Sequence, residues 1–341
     1  MRHDVLVLAA LGGGILLAGS LRAGDPLVPP APPAPAPAAQ EYTPEGIGRT
    51  LGLTFAKVES AHFVVHSSAG QATAAAVSAR LEAAYGAFCE ALGIPDGTSF
   101  IEGRLEALLL ANKAQYDRLI DLRLADPRGA PGAEWEQVVR VASGFRLGPY
   151  KIAHHGSGPP AAFRELCAHM MAHAMLEEYL KHAGCPLTRE SRFPFWLHEG
   201  LAAYVDRRVS GSAGTYCIAY GSRESTANPW RDESHRWEGL IRDGVRARRE
   251  GALPDLRKVQ QTPQTSFDHP MRAIAWSMVG FLVAEDDARE RGKFRAFLEA
   301  MARADAVDAS LDGIYGIRDV EAMDDKWRRW ARRQGGSGGG E

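Results

Sequence analysis

Two histidines four positions apart, His169 and His173, are the residues of this sequence best suited to hold a metal ion. The segment around them, residues 161–182, contains no Gly or Pro and is rich in Ala, Met, Leu and Glu, which predicts an α-helix. Positions i and i+4 of a helix lie on one face, so the two imidazoles project side by side. A third ligand must come from another element, and Glu199, in a second predicted helix at 197–209, is the best candidate. Two imidazoles and a carboxylate suit Zn²⁺ and leave a fourth position for water.

The sequence around these ligands resembles the gluzincin metallopeptidases, in particular exported bacterial proteins with a peptidase-MA-like domain. The family pattern is H-E-x-x-H, followed after a short gap by W-L-x-E-G-L-A-x-Y. This chain reads HMMAH at 169–173 and WLHEGLAAY at 196–204. The resemblance implies that His169, His173 and Glu199 are the metal ligands. It also implies an α+β zincin-like fold with a small mixed sheet, an edge hairpin, metal-site helices and a helical C-terminal part.

The chain departs from the family pattern at Met170, which stands where the family has the glutamate that acts as general base. A thioether cannot take a proton from a zinc-bound water, so no catalytic residue is assigned and we expect an inactive or very weak peptidase. An active but divergent zinc hydrolase with another base is the alternative, although Glu165, Glu177 and His198 are all expected to lie away from the missing carboxylate. A domain without metal also remains open. Met170 and Met171 would suit Cu(I) too, but core packing explains both more simply.

The partner implied by the resemblance is an extended peptide or protein that lies along the edge hairpin, predicted at 144–153 with a Gly148-Pro149 turn. In several gluzincins an Asp four residues after the third ligand supports a ligating histidine; here that position is Ala203. Asp206, seven residues after the glutamate, is the candidate substitute, and a solvated helix end is the simpler interpretation of it. His154 and His155 follow the hairpin, and at most one of them would face the cleft.

Four cysteines, Cys89, Cys167, Cys185 and Cys217, allow three pairings. Cys185 and Cys217 fall in predicted loops, so this is the first pair that we would test for a disulfide. Cys89 and Cys167 are expected to be small buried side chains, and Cys167 points away from the metal.

The N-terminal segment predicts export. Residues 1–24 contain an uncharged run from Val5 to Leu21 and are predicted to be a signal peptide or an N-terminal anchor, which would tether the protein to a membrane. Residues 25–49 are a Pro/Ala-rich linker, 50–334 the peptidase-like domain and 335–341 a disordered tail. Within the domain, 50–160 form an α/β part, 161–210 the metal-site helices and 211–334 a helical part. The formal net charge of −2 gives no field for binding nucleic acid.

Periodicity and turn residues predict the remaining elements. The predicted strands are 61–66, 104–111, 138–142, 144–147 and 150–153. The other predicted helices are 73–92, 113–124, 233–250, 271–285, 292–302 and 319–333. The polar, Gly/Ser-rich segment 211–228 is predicted to be a mobile loop beside the site.

Overall fold

The computed structural model describes residues 42–95, 97–126, 133–147, 151–155, 160–187, 193–213, 217, 234–247, 253–286 and 292–334. Side chains are not described for 134, 151–155 and 160–166. The strands are β1 (Ala56–Glu59), β2 (Phe63–Ser67), β3 (Leu105–Leu110), β4 (Gly144–Leu147) and β5 (Lys151–His155). The helices are α1 (Pro44–Leu51), α2 (Gln71–Leu92), α3 (Lys113–Leu124), α4 (Ala133–Val141), α5 (Pro160–His182), α6 (Phe195–Ser210), α7 (Trp237–Arg246), α8 (Leu256–Gln261), α9 (His269–Ala284), α10 (Lys293–Ala302), α11 (Val307–Tyr315) and α12 (Val320–Arg333).

The five strands form one mixed sheet in the order β1-β2-β3-β5-β4. β2, β3 and β5 run parallel, while β1 and β4 are the antiparallel outer strands. The predicted α+β class and the mixed sheet are therefore confirmed, and β4 pairs with β5 as a hairpin at one edge. The predicted turn of this hairpin lies outside the described residues.

The sheet separates two hydrophobic cores because successive side chains of a strand point to opposite faces. On β3, Leu105, Ala107 and Leu109 belong to the larger core with α2, α5 and the C-terminal helices. Leu108 and Leu110 face the smaller core, which α1, α3 and α4 cover. The helices α5 and α6 thus lie on the face of the sheet that carries the larger core.

Helix α6 packs between α5 and α9, and Gly200 makes the approach to α9 possible. A Cβ atom on Gly200 would lie 2.6 Å from the carbonyl oxygen of Ala275. Only a residue without a side chain fits there, which explains the glycine that follows Glu199. The N-terminus of α9 is fixed by Asp268, whose side chain accepts a hydrogen bond from the backbone N–H of Met271 at 3.0 Å.

Several predicted elements change. The predicted strand 138–142 is wrong, because residues 138–141 belong to α4. Trp135 and Val139, one helical turn apart, are both buried in the smaller core. The folded part also begins before the predicted residue 50, since α1 buries Ile47 completely. Helices α8 and α11 were not predicted.

The helix predicted at 113–124 is confirmed with the same first and last residues. The side chain of Asn112 caps its N-terminus and so fixes where it begins. The helices predicted at 161–182 and 197–209 are confirmed within two residues at each end. Among the described residues, no helix combines the length and the apolar character needed to cross a bilayer. The N-terminal segment that carries the predicted export signal lies outside them.

Candidate metal site

His169 and His173 meet in the middle of α5, as their spacing predicts. Their Nε2 atoms are 3.2 Å apart, and the two rings stand nearly perpendicular, with an interplanar angle of 85°. Both residues are buried, and His169 is fully enclosed. The two nitrogen atoms can therefore share one small ion between them.

Glu199 reaches the same point from α6. Its Oε1 lies 3.7 Å from Nε2 of His169, and its Oε2 lies 3.6 Å from Nε2 of His173. Around a tetrahedral zinc with bonds of about 2.0–2.1 Å, the distance between two ligand atoms is about 3.3 Å. The histidine and glutamate atoms are within a few tenths of an ångström of this separation, so they fit a single metal ion.

The two oxygens of Glu199 have different surroundings. Oε1 accepts a hydrogen bond from the backbone N–H of Cys217 at 3.0 Å and lies 3.6 Å from Nε of the buried Arg272. Oε2 is buried and has no hydrogen-bond partner among the described residues. A buried, unpaired carboxylate oxygen is costly in a folded protein, and a cation beside Oε2 would remove that cost.

A fourth donor, Cys217, joins these three. Its Sγ lies 3.1 Å from Nε2 of His173 and 3.8 Å from Nε2 of His169. The ligand atoms of His169, His173, Glu199 and Cys217 all lie within 4.8 Å of one another. The described part of the chain thus contains a buried four-residue group that could hold a metal ion.

Burial and neighbouring charges set the protonation of His173 and Glu199 in the absence of metal. Burial, followed by the nearby His198 and His169, lowers the pKa of His173 well below its usual value, so its ring is neutral at neutral pH. Burial alone would raise the pKa of Glu199, but His169 and Arg272 outweigh it and the pKa is lowered. Neutral imidazole and ionised carboxylate are the forms that bind a metal.

Met170, the residue that replaces the expected general base, lies next to the group in sequence and is half-buried against the larger core. Met171 is fully buried there, so both methionines have the packing role that we considered simplest. Oε1 of Glu177 accepts a hydrogen bond from Nη1 of Arg146, on β4, at 2.5 Å. The side chain of Glu165 is outside the described positions.

His198, which directly precedes Glu199, contacts one of the two histidines of the site. Its ring stacks on that of His173 with a centroid distance of 4.0 Å, and burial lowers its pKa. The expectation that His198 lies away from the missing carboxylate stays a prediction. Helices α5 and α6 pack together, and this brings the ring of His198 into contact with a candidate ligand.

Asp206 does not make the predicted contact with a ligating histidine. It is fully buried rather than solvated, and its Oδ1 accepts a hydrogen bond from Ser210 at 3.0 Å. The Nδ1 atoms of His169 and His173 have no hydrogen-bond partner among the described residues. Seven residues advance a helix by about 10 Å, so Asp206 shares a face with Glu199 but lies too far along the axis.

Cys185 and Cys217, the first pair that we would test for a disulfide, are not bonded to each other, and none of the four cysteines forms a disulfide. Cys185 is buried in the larger core just after α5, whereas Cys217 lies at the candidate metal site. Cys167 is buried in that core, as predicted, whereas Cys89 is only partly buried and packs against it. The side chains of His154 and His155, on β5, lie outside the described positions.

Sequence reasoning missed Cys217 and Arg272 as parts of the site. Arg272 is 2% exposed, and its Nη2 donates a hydrogen bond to the backbone oxygen of Cys217 at 3.3 Å. The one feature of the sequence that could have pointed to Cys217 is its position as a cysteine in the polar segment that follows Glu199. No spacing rule connects that segment with the H-x-x-x-H helix.

Comparison of the chain with protein-family models gives no match. Comparison with curated proteins gives none either. The resemblance to the gluzincins therefore depends on the two motifs.

Proposed function

We propose that this protein is an exported, zinc-binding, metallopeptidase-like protein that has kept its metal ligands and lost its catalytic base. In this proposal it binds extended polypeptides without cleaving them efficiently. The observation that carries the proposal is the convergence of His169, His173 and Glu199 beside Met170. The uncharged run at 5–21 supports export.

Zinc is favoured by the chemistry of the donor atoms. Imidazole nitrogen, carboxylate oxygen and a nearby thiol are the ligands typical of Zn²⁺, while Mg²⁺ and Ca²⁺ prefer oxygen alone. The unpaired Oε2 of Glu199 faces His173 and supplies one negative charge. With a coordination position open, a bound zinc ion would act as a Lewis acid toward a carbonyl oxygen.

The low activity follows from the missing proton acceptor. A positioned acid–base group contributes about 10²–10⁴-fold to a rate. Among the described side chains, Glu199 is the one carboxylate in the metal group, and one of its oxygens is held by Cys217 and Arg272. No described carboxylate in that group is left to take the proton that Met170 cannot.

Polypeptide binding is supported by the position of β4. It is an outer strand, and an outer strand can pair with an extended peptide through its backbone. Arg146 of β4 bonds to Glu177, one helical turn beyond His173, so this sheet edge runs beside the metal helix. A peptide added to β4 would pass close to the site.

The first test combines metal analysis with a peptidase assay on an unfolded protein substrate. We expect one zinc per chain in the wild type, no zinc in His169→Ala, and little cleavage by the wild type. Met170→Glu is prepared both alone and together with Cys217→Ala, because Cys217 lies at the site. At least one of the two should cleave about 10²–10⁴-fold faster than the wild type.

Met170→Gln in the same two backgrounds is the matched control, since it has the size of glutamate without a basic carboxylate. A wild-type protein that cleaves efficiently, with no gain from glutamate at 170, would refute the loss of the base. Zinc retained in full by His169→Ala would refute the metal site.

Binding at the β4 edge is tested with a labelled extended peptide and the same peptide N-methylated at alternate residues. Pairing to β4 requires backbone N–H donors, so methylation in one of the two registers should abolish binding while the other has little effect. Equal binding of both methylated peptides would contradict recognition through the strand edge.

A second candidate, a divergent but active hydrolase, is favoured by one observation. His198 is partly exposed, its pKa is lowered, and its ring lies against that of His173. If it acts as the base, the wild type cleaves the substrate and His198→Gln loses activity while keeping zinc. If the wild type is inactive, this candidate fails.

A further inference from the structure

Cys217 is placed by contacts on three sides. Its thiol faces both histidines, its backbone N–H donates to Glu199 on α6, and its backbone oxygen accepts from Arg272 on α9. Both polar groups of its peptide backbone are thus held by buried charged side chains. Such anchoring fixes the backbone of Cys217 beside the two Nε2 atoms.

We propose that Cys217 is the fourth metal ligand, which makes the site a closed His₂-Glu-Cys centre without a position for water. This inference rests on the proposed metal site and goes beyond it, because the family resemblance implies water in that position. The class of cation is a divalent ion that accepts thiolate, namely Zn²⁺, with Co²⁺ and Cd²⁺ as probes.

The distances support four ligands around one ion. With a metal–sulfur bond of about 2.3 Å and a metal–nitrogen bond of about 2.05 Å, tetrahedral geometry separates sulfur from nitrogen by about 3.6 Å. The observed separations of Sγ from His173 and His169 are 3.1 and 3.8 Å, on either side of this value. The ligand atoms of all four residues lie within 4.8 Å of one another.

Binding has a simple chemical balance. The thiol of Cys217 loses its proton to solvent as the metal–sulfur bond forms, and no electron transfer takes place. The thiolate and the Glu199 carboxylate together neutralise the two positive charges of the ion. The site therefore gains a neutral metal centre in a buried environment, next to the positive charge of Arg272.

The consequence is a structural role for the metal. A closed four-ligand zinc site contributes to folding, whereas a catalytic site keeps an open position. Cys217 belongs to the chain between α6 and the short 3₁₀ helix Ser234–Arg236. A metal bound by all four residues would join Cys217 to α5 and α6.

The test is a Co²⁺ titration of the full-length protein, followed by optical spectroscopy. A cobalt–thiolate bond gives an intense charge-transfer band in the near ultraviolet, and four-coordinate Co²⁺ gives strong visible bands. We expect both in the wild type and in the control Cys89→Ala, which changes a cysteine packed elsewhere against the core. In Cys217→Ala the near-ultraviolet band should disappear.

Zinc affinity should fall in Cys217→Ala by more than the 10–100-fold typical of losing an outer-shell partner. Wild-type protein that binds one Co²⁺ without the charge-transfer band would overturn the inference and leave the three-ligand site standing. Binding of no metal at all would overturn the proposed function as well. The wild-type spectrum decides the matter even if Cys217→Ala fails to fold.

Activity provides an independent readout. If Cys217 fills the fourth position, Met170→Glu should gain peptidase activity only in the Cys217→Ala background. A gain from Met170→Glu alone would show that water reaches the metal and would contradict the closed site.

Discussion

The close packing of α6 against α9 predicts a large effect of Gly200→Ala. The new Cβ would lie 2.6 Å from the carbonyl oxygen and 2.8 Å from the carbonyl carbon of Ala275. An unstrained contact needs about 3.5 Å, so the two helices must separate by about 0.9 Å. The obstacle is backbone and cannot rotate away, which places the cost at the upper end of the about 1–3 kcal/mol typical of overpacking.

Alanine also has a better helix propensity than glycine, by about 0.8–1 kcal/mol, which offsets part of this cost. We therefore expect a net loss of about 2 kcal/mol in the free energy of unfolding. The control is Gly86→Ala in α2, where a Cβ meets no atom within 4 Å. That variant should gain up to about 1 kcal/mol, so the two substitutions should differ by about 3 kcal/mol.

Urea denaturation of both variants, followed by far-ultraviolet circular dichroism, measures this difference. Because Gly200 follows Glu199 directly, the displacement should also weaken zinc binding in Gly200→Ala but not in Gly86→Ala. Equal stability of the two variants would refute the packing argument. It would also remove the structural reason for a glycine directly after the third ligand.

Three further predictions concern charge and metal. Arg272→Met leaves the buried carboxylate of Glu199 without its cationic neighbour. Urea denaturation of the metal-free protein should show a loss of about 3–5 kcal/mol in the free energy of unfolding. A loss of less than about 1 kcal/mol would contradict the pairing of Arg272 with Glu199. Partial burial alone would raise the pKa of Glu82, but hydrogen bonds from the ring and the backbone N–H of His62 outweigh it, and the pKa lies below the usual 4.5. The stability that the ionised Glu82 contributes is therefore present above pH 4.5 and is lost as the pH falls through the lowered pKa. The stability gap between wild type and Glu82→Gln, followed by urea denaturation, should therefore shrink on acidification, and a gap independent of pH would contradict it. Removal of zinc with a chelator should lower the melting temperature, because a ligand at 1,000 times its Kd stabilises a protein by about 4.1 kcal/mol, and an unchanged melting temperature would contradict metal binding.

Helix positions were predictable where local chemistry decides them. α3 begins after the capping residue Asn112, and α6 ends at Ser210, just before Gly211, which has a φ of +77°. The same reasoning failed for α4, since the β-branched residues of the segment 138–141 favour a strand by propensity. Packing of Trp135 and Val139 into the smaller core overrides that preference.

The candidate site was predictable only in part, for a similar reason. His169 and His173 share a helical face by spacing alone, and the motif at 196–204 supplied Glu199. Cys217 comes to the site through long-range contacts, such as the one between its backbone N–H and Glu199. Contacts of this kind depend on how α6 and α9 pack, which no local pattern encodes.

The central claim is that two imidazoles of α5, a carboxylate of α6 and the thiol of Cys217 bind one metal ion. X-ray absorption at the zinc edge of the zinc-loaded protein tests it most directly. The account predicts one sulfur at about 2.3 Å and three nitrogen or oxygen atoms at about 2.0–2.1 Å. A shell made of nitrogen and oxygen alone would contradict the thiolate ligand, and a shell without imidazole scattering would contradict the site as a whole.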